Sequence, residues 1–166
     1  METPGGGSAA ALAGALGCSL GAKVFRILGA RQESSKAAGS KRWHPLIRRF
    51  DQLSRKLIHL AEKDAQAYTR LVKAFRTGRN RSAARRGAIE APLEICTLAA
   101  SGFQKLKRCL TPAGPHLGSD LRAGMALLRG AFEAAEWMVQ VNLQGVRGMP
   151  WDRYRKRLIS LRRVFR

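Results

Sequence analysis

The sequence has few cysteines and histidines, and this shortage argues against two classes of protein. Its three cysteines, Cys18, Cys96 and Cys109, form an odd set without CxxC spacing, which argues against a disulfide framework and against a zinc site. The three histidines are far apart in the chain, so no histidine-based metal motif is present. We therefore predict reduced, buried thiols, no bound metal and a cytoplasmic location.

Long apolar runs and strand patterns are also missing. No segment approaches 18 uninterrupted apolar residues, so we expect no transmembrane helix. The apolar segment 9–22 lacks the basic start of a secretory signal, because Glu2 precedes it. There is no sustained alternation of polar and apolar residues and no Asn-Gly or Asp-Gly hairpin dipeptide. An all-α fold is the prediction that remains.

Acidic residues are scarce beside basic ones. Lys and Arg number 31 against 11 Asp and Glu, giving a formal charge of +20 and a pI near 11.5. The electrostatic field of so large a positive charge favours polyanionic partners: nucleic acid, an anionic membrane, or a ligand with several carboxylates. The alternative is a solvated surface rich in arginine that has no specific partner.

Helical periodicity predicts an up-and-down bundle of about five helices, a single domain over residues 1–166 with a basic C-terminal helix at 151–166. The expected helices are 8–28, 45–75, 82–110, 120–143 and 152–164. We expect Pro92 to kink or split the third helix, Ser119-Asp120 to cap the fourth, and loops at 31–41 and 111–118. Ala13, Gly17 and Gly21 are spaced by four, so they form a small-residue face that another helix, in the bundle or in a dimer, can approach closely.

The glycine run that starts the chain is the first candidate site. Pro4, Gly5, Gly6 and Gly7 precede Ser8 and the first predicted helix. Backbone N–H groups at such a helix start can surround an anion or let a ligand approach closely. The alternative is a flexible N-terminus whose helix is capped by Ser8.

Asp64 and Tyr68 form the second candidate, since both lie on the otherwise apolar stripe of the second helix. A carboxylate there costs free energy unless it is paired or hydrogen-bonded. Partial burial would raise its pKa and suit it to proton transfer near neutral pH. The alternative is a structural ion pair between Asp64 and one of the arginines.

Asp120 and Asn142 lie at the two ends of the fourth predicted helix, about 33 Å apart by the helical rise. Within one subunit they would serve opposite ends of the bundle, although an antiparallel dimer would bring them together. Individually, each suits a helix cap or a buried amide.

The basic C-terminal helix carries arginines from Arg153 to Arg157 on both sides of Tyr154. Such a helix could bind RNA, DNA or an anionic membrane surface. The alternative is that it is a solvated face.

Five segments in order resemble one family. They read TPGGGS at 3–8, LAEKDAQAY at 60–68, APLEI at 91–95, SD at 119–120 and VNL at 141–143. Together they resemble the formiminotetrahydrofolate cyclodeaminase and methenyltetrahydrofolate cyclohydrolase family, over about residues 3 to 146.

The resemblance implies an all-helical homodimer that binds a tetrahydrofolate derivative, without a metal or any other cofactor. Its members close formimino-tetrahydrofolate with loss of ammonia, or hydrolyse the methenyl ring. By the same resemblance Asp64 is the general acid/base, and polyglutamate tails on folate would give the arginines a function. The implied substrate-binding residues are Gly5, Gly6, Gly7, Ser8, Tyr68, Arg79, Asp120 and Asn142.

A second hypothesis is a member without catalysis that serves as a basic folate- or RNA-binding module. It is motivated by Arg79 at the place of a typical lysine, by a shortened segment after it, and by the +20 charge.

Overall fold

The computed structural model describes residues 5–34 and 43–166, and nearly all of them are helical. The helices are α1 (Gly6–Ser34), α2 (Trp43–Thr77), α3 (Arg81–Asn142) and α4 (Trp151–Arg162), followed by a 3-10 turn at Arg163–Phe165. No strand occurs in these two ranges. The prediction of an all-α fold is confirmed.

α3 is a helical hairpin whose two halves meet at Gly114. Gly114 alone has non-helical torsions, φ 71° and ψ 177°, a region that glycine adopts without strain. The halves (81–113 and 115–142) run antiparallel, since Cys96 contacts the Phe132 carbonyl at 3.7 Å while Ala88, earlier in the first half, contacts Asn142, later in the second. The predicted loop at 111–118 is therefore wrong: one glycine reverses the chain, and helix continues on both sides of it.

Three other boundaries differ from the predictions. The Ser119 hydroxyl donates to the His116 carbonyl at 2.8 Å, so Ser119 lies inside a helix and caps nothing. Pro92 leaves the helical torsions around it intact. α1 continues to Ser34, beyond the predicted end at Leu28, and residues 35–41 of the predicted loop lie outside the described ranges.

α1 is packed against α2 and against both halves of α3, because its inner face carries almost no side chains. A methyl group at Gly17 would lie 2.7 Å from the Gly124 carbonyl oxygen, and one at Gly21 would lie 2.7 Å from Leu106. The small-residue face thus serves helix packing within the bundle. The buried side chains around it include Phe25, Phe50 and Phe132.

The basic C-terminal segment is docked on the bundle. Trp151 and Leu158 are buried, and the Arg155 guanidinium donates to the carbonyls of Leu143 and Val146, where α3 ends. The ring of Phe165 lies 4.7 Å from that of Phe103 and 4.5 Å from that of Phe132. The apolar face of this segment therefore completes the core, and basic side chains remain on its outer face.

Of the described helices, α1 alone has the length and hydropathy of a membrane-crossing helix. Half of its most apolar 18-residue window is buried against the rest of the bundle. A buried core helix passes the same test of length and composition.

Candidate active site

A cleft of about 200 Å³ opens at the end of the bundle where α1 begins. Four helical segments form it: the start of α1, the middle of α2, the start of α3 and the end of α3. Its lining residues are Gly5, Gly6, Gly7, Asp64, Ala65, Tyr68, Ala88, Met138 and Asn142. The structure thus brings together residues that are up to 137 positions apart, from Gly5 to Asn142.

Asp64 faces the first turn of α1 across a contact that only glycine permits. A methyl group at Gly7 would lie 2.5 Å from the Asp64 Cγ, well inside van der Waals contact. The carboxylate accepts the backbone N–H of Ser8, one of the N–H groups that have no partner within the first turn of a helix. Asp64 of α2 therefore caps α1 from outside.

Ser8 fastens α1 to α2 and leaves the N-cap position to Gly5. Because the Ala9 N–H donates to the Gly5 carbonyl at 3.0 Å, α1 begins before Ser8, and the expected Ser8 cap is wrong. The buried Ser8 hydroxyl lies 2.7 Å from the Ala61 carbonyl and 3.4 Å from Asp64 Oδ2. A hydroxyl has one proton, so the shorter bond to Ala61 is the stronger.

Burial raises the pKa of Asp64 above its ordinary value of 3.8. The hydrogen bonds from the Ser8 hydroxyl and backbone N–H oppose that shift, and burial outweighs them. Asp64 forms no ion pair within 4 Å among the described residues. The carboxyl is half-buried and open to the cleft, so it has the environment of a proton-transferring group and not that of an arginine-paired one.

Tyr68 and Asn142 form opposite parts of the cleft wall. Tyr68 lies one helical turn beyond Asp64 and is 50% exposed, which leaves its ring free to cover a ligand. The Asn142 side-chain amide donates to the Ala88 carbonyl at 2.9 Å, across the α3 hairpin. Met138 lies one turn before Asn142, with its sulfur against Gly6.

Besides Ser8, which is buried and does not line the cleft, two predicted site residues lie elsewhere. Asp120 is at the opposite end of the bundle, where its carboxylate pairs with Lys23 at 2.9 Å. Arg79 lines a separate groove of about 740 Å³ between the end of α2 and the start of α3. Arg70 and Lys73 line that groove as well, and no acidic residue does. We call it the basic groove.

The sequence-based candidates omitted three cleft residues. Met138 shares a helical face with Asn142, four residues on, and that spacing could have identified it. Ala88 and Ala65 carry no chemical group that a sequence would single out. Pro4 lies outside the described residues. Within 5–34 and 43–166, no three His, Cys, Asp or Glu side chains cluster as metal ligands.

Comparisons with known proteins agree with this architecture. A family model described as formiminotransferase-cyclodeaminase matches residues 1–155. The crystal structure of formiminotetrahydrofolate cyclodeaminase from Thermotoga maritima superposes with a TM-score of 0.87 at 20% sequence identity, over 98% of this chain and 82% of that one. At this identity the likeness is one of fold. No curated protein sequence matches the chain.

Proposed function

Because the chain belongs to the formiminotransferase-cyclodeaminase family, we propose that it is an enzyme of tetrahydrofolate one-carbon chemistry. The reaction is that of a methenyltetrahydrofolate cyclohydrolase or a formiminotetrahydrofolate cyclodeaminase. The observation that carries this proposal is Asp64: a half-buried carboxyl with a raised pKa, without an ion-pair partner among the described residues, in a cleft at a helix N-terminus.

Both reactions pass through a tetrahedral carbon between two folate nitrogens. In the deaminase direction the ring-closing nitrogen adds to the formimino carbon and loses its proton, and the amino group gains a proton and leaves as ammonia. In the hydrolase direction water adds to the methenyl carbon and loses a proton; one carbon–nitrogen bond then breaks as that nitrogen gains a proton and the hydroxyl loses one to become the formyl carbonyl. Each route needs a group that accepts and returns a proton, and Asp64 is suited to that work.

The other cleft residues bind and orient the folate. The open N–H groups of Gly6 and Gly7, at the positive end of α1, favour electron-rich oxygen or nitrogen atoms of the ligand. The exposed ring of Tyr68 offers a stacking surface for the planar pyrimidine ring of the reduced pteridine. Because the cleft holds only about 200 Å³, it accommodates the reacting ring system and leaves the rest of the folate outside.

We assign the part of the folate that lies outside the cleft to the basic groove. Ala88 on the cleft and Ala84 on the basic groove are four residues apart on α3 and so share one face of that helix. The two cavities are therefore neighbours along α3. Arg70, Lys73 and Arg79 supply positive charge without a lining carboxylate. A tail of one or several glutamates leaving the cleft would meet these three cations.

We also propose a homodimer, formed through α1 and the second half of α3. These segments are packed neighbours, and each exposes large apolar side chains: Leu16 61% and Leu12 46% on α1, Trp137 63% and Val141 53% on α3. Exposed apolar clusters of this kind mark interfaces. The proposed location is the cytoplasm, in keeping with three free cysteines.

The test of the enzymatic proposal is direct. Purified protein mixed with methenyltetrahydrofolate should accelerate the loss of its near-ultraviolet absorbance, or, given formimino-tetrahydrofolate, should produce that absorbance and ammonia. Asp64→Asn should abolish the acceleration while the helical circular dichroism stays unchanged. The matched control is Asp51→Asn, since Asp51 lies on α2 and pairs with Arg26 at the surface. An undiminished rate in Asp64→Asn would remove Asp64 from the reaction.

A further inference from the structure

Pro92 leaves one backbone carbonyl in the wall of the cleft without its helical partner. In an α-helix the carbonyl of residue i accepts the N–H of residue i+4. The residue four positions after Ala88 is Pro92, which has no N–H. The Ala88 carbonyl instead accepts the side-chain amide of Asn142 at 2.9 Å, from the opposite half of the α3 hairpin.

This bond orients the Asn142 amide. The amide has one acceptor, Oδ1, and one donor group, Nδ2. Because Nδ2 is directed at the Ala88 carbonyl, the amide cannot flip without placing two oxygens against each other. Oδ1 has no protein donor among the described residues. Asn142 therefore offers a bound molecule an acceptor in a fixed direction.

We propose that Asn142 Oδ1 accepts a hydrogen bond from an N–H of the substrate, and that Pro92 is a positioning residue that makes this possible by freeing the Ala88 carbonyl. The inference rests on the proposed folate chemistry and extends it. It assigns the Asn142 side of the cleft to a nitrogen that carries a hydrogen, such as the formimino nitrogen or an amino-substituted ring edge. A ligand with a carbonyl at that position would be rejected, because two acceptors would face each other.

Restoring the missing N–H tests the positioning. In Pro92→Ala the Ala88 carbonyl is shared between the new backbone N–H and the Asn142 amide, which weakens the bond to Asn142 and loosens the amide. We expect KM to rise about fivefold, the worth of one modest hydrogen bond, with kcat changed less than about twofold. Asn142→Ala should raise KM by a similar factor. Pro45→Ala is the matched control, since Pro45 lies in the first turn of α2, where the N–H has no partner within the helix.

The double variant separates positioning from a general effect on stability. If Pro92 acts through Asn142, Pro92→Ala should add nothing to KM in a chain that already carries Asn142→Ala. An equal KM rise in both backgrounds, or no rise in the single Pro92→Ala variant, would overturn the proposal. Asn142→Asp keeps an acceptor and loses the donor, and it should behave like Asn142→Ala.

A readout without substrate distinguishes failure of this inference from failure of the proposed function. The side-chain NH₂ resonances of Asn142, followed by nuclear magnetic resonance, should shift in Pro92→Ala and stay in place in Pro45→Ala. Unchanged resonances in Pro92→Ala would disprove the coupling whatever the activity. Shifted resonances in a protein whose wild type turns over no folate would uphold the coupling, and would disprove both the folate chemistry and the substrate contact.

Discussion

Gly7 and Asp64 are in contact across the interface of α1 and α2, with no space between them for even a methyl group. The contact lets the Asp64 carboxylate reach the first turn of α1 and accept the Ser8 N–H. It also places the carboxyl in the cleft, beside backbone N–H groups. The position of the proposed acid/base thus depends on a residue that has no side chain.

Gly7→Ala should therefore displace the Asp64 carboxyl. We expect turnover of folate to fall at least tenfold, since small misplacements of a reacting group are costly, together with a loss of about 1–3 kcal/mol in the free energy of unfolding. Gly118→Ala is the control, because a methyl group there meets nothing within 4 Å. Full activity in Gly7→Ala would show that the contact does not set the position of Asp64.

The raised pKa of Asp64 has a consequence for stability. The pKa of this carboxyl is higher in the folded chain than its unfolded value of 3.8. Its contribution to the stability of the fold is therefore full at pH values below 3.8, and it is lost as the pH rises through the folded pKa. Asp64→Asn should thus be inactive yet unfold at higher urea concentration than wild type at about pH 8, with the difference shrinking toward about pH 4. Asp51→Asn breaks a surface ion pair and should show no such gain. A variant less stable than wild type at high pH would contradict the raised pKa.

The basic groove should discriminate between folates by the length of their tails. Arg70→Gln or Arg79→Gln should raise KM about two- to fivefold for a substrate with several glutamates, and less for one with a single glutamate. Added salt should weaken the preference of wild type for the longer tail. Arg108→Gln, an exposed change on α3 outside both cavities, is the control. Equal KM values for both tails in wild type would leave the groove without this function.

The proposed dimer predicts a change in oligomeric state. Leu16→Glu or Trp137→Glu places a charge in the apolar interface, and light scattering should report a shift from dimer to monomer. Ile159→Glu is the matched control, since Ile159 is similarly exposed at 54% but lies on α4. A wild type that is monomeric at micromolar concentration would exclude this interface.

The crossing of α1 and α3 at Gly17 and Gly124 predicts an unusually large effect of one methyl group. Gly17→Ala would place a Cβ atom 2.7 Å from the Gly124 carbonyl oxygen, and backbone cannot move aside as a flexible side chain can. We expect a loss of about 1–3 kcal/mol or more in the free energy of unfolding, measured in urea. Gly118→Ala, which removes a helical glycine without a clash, should be neutral or up to about 1 kcal/mol stabilising. An unchanged free energy of unfolding in Gly17→Ala would mean that α1 and α3 are less tightly packed at Gly17 and Gly124 than the structure shows.

The sequence predicted features that depend on local periodicity, and missed those that depend on contacts between distant residues. The apolar stripe of the second predicted helix indicated a helical fold, and the carboxylate on that stripe indicated Asp64 as a site residue. The reversal at Gly114 was missed because a segment containing two prolines and two glycines is typical of a loop, and nothing local indicates that one residue suffices. The positions of Arg79 and Asp120 were carried over from the family resemblance, and they depend on how the helices pack.

Pro92 illustrates the same limit. The sequence indicates a kink because proline lacks an N–H and its ring crowds the preceding turn. The helix continues through this position, and the unpaired Ala88 carbonyl is satisfied by Asn142, which is 54 residues away. Only the hairpin at Gly114 brings that amide within reach.

The small-residue face of α1 also has a consequence for how the chain is made. Gly124, which this face packs against, is added 107 residues after Gly17, a delay of about 5–20 s at ordinary rates of translation. During that delay α2 is synthesised first, and it can cover one side of α1, a helix with the length and hydropathy of a membrane segment. The face that carries Gly17 stays uncovered until the second half of α3 follows.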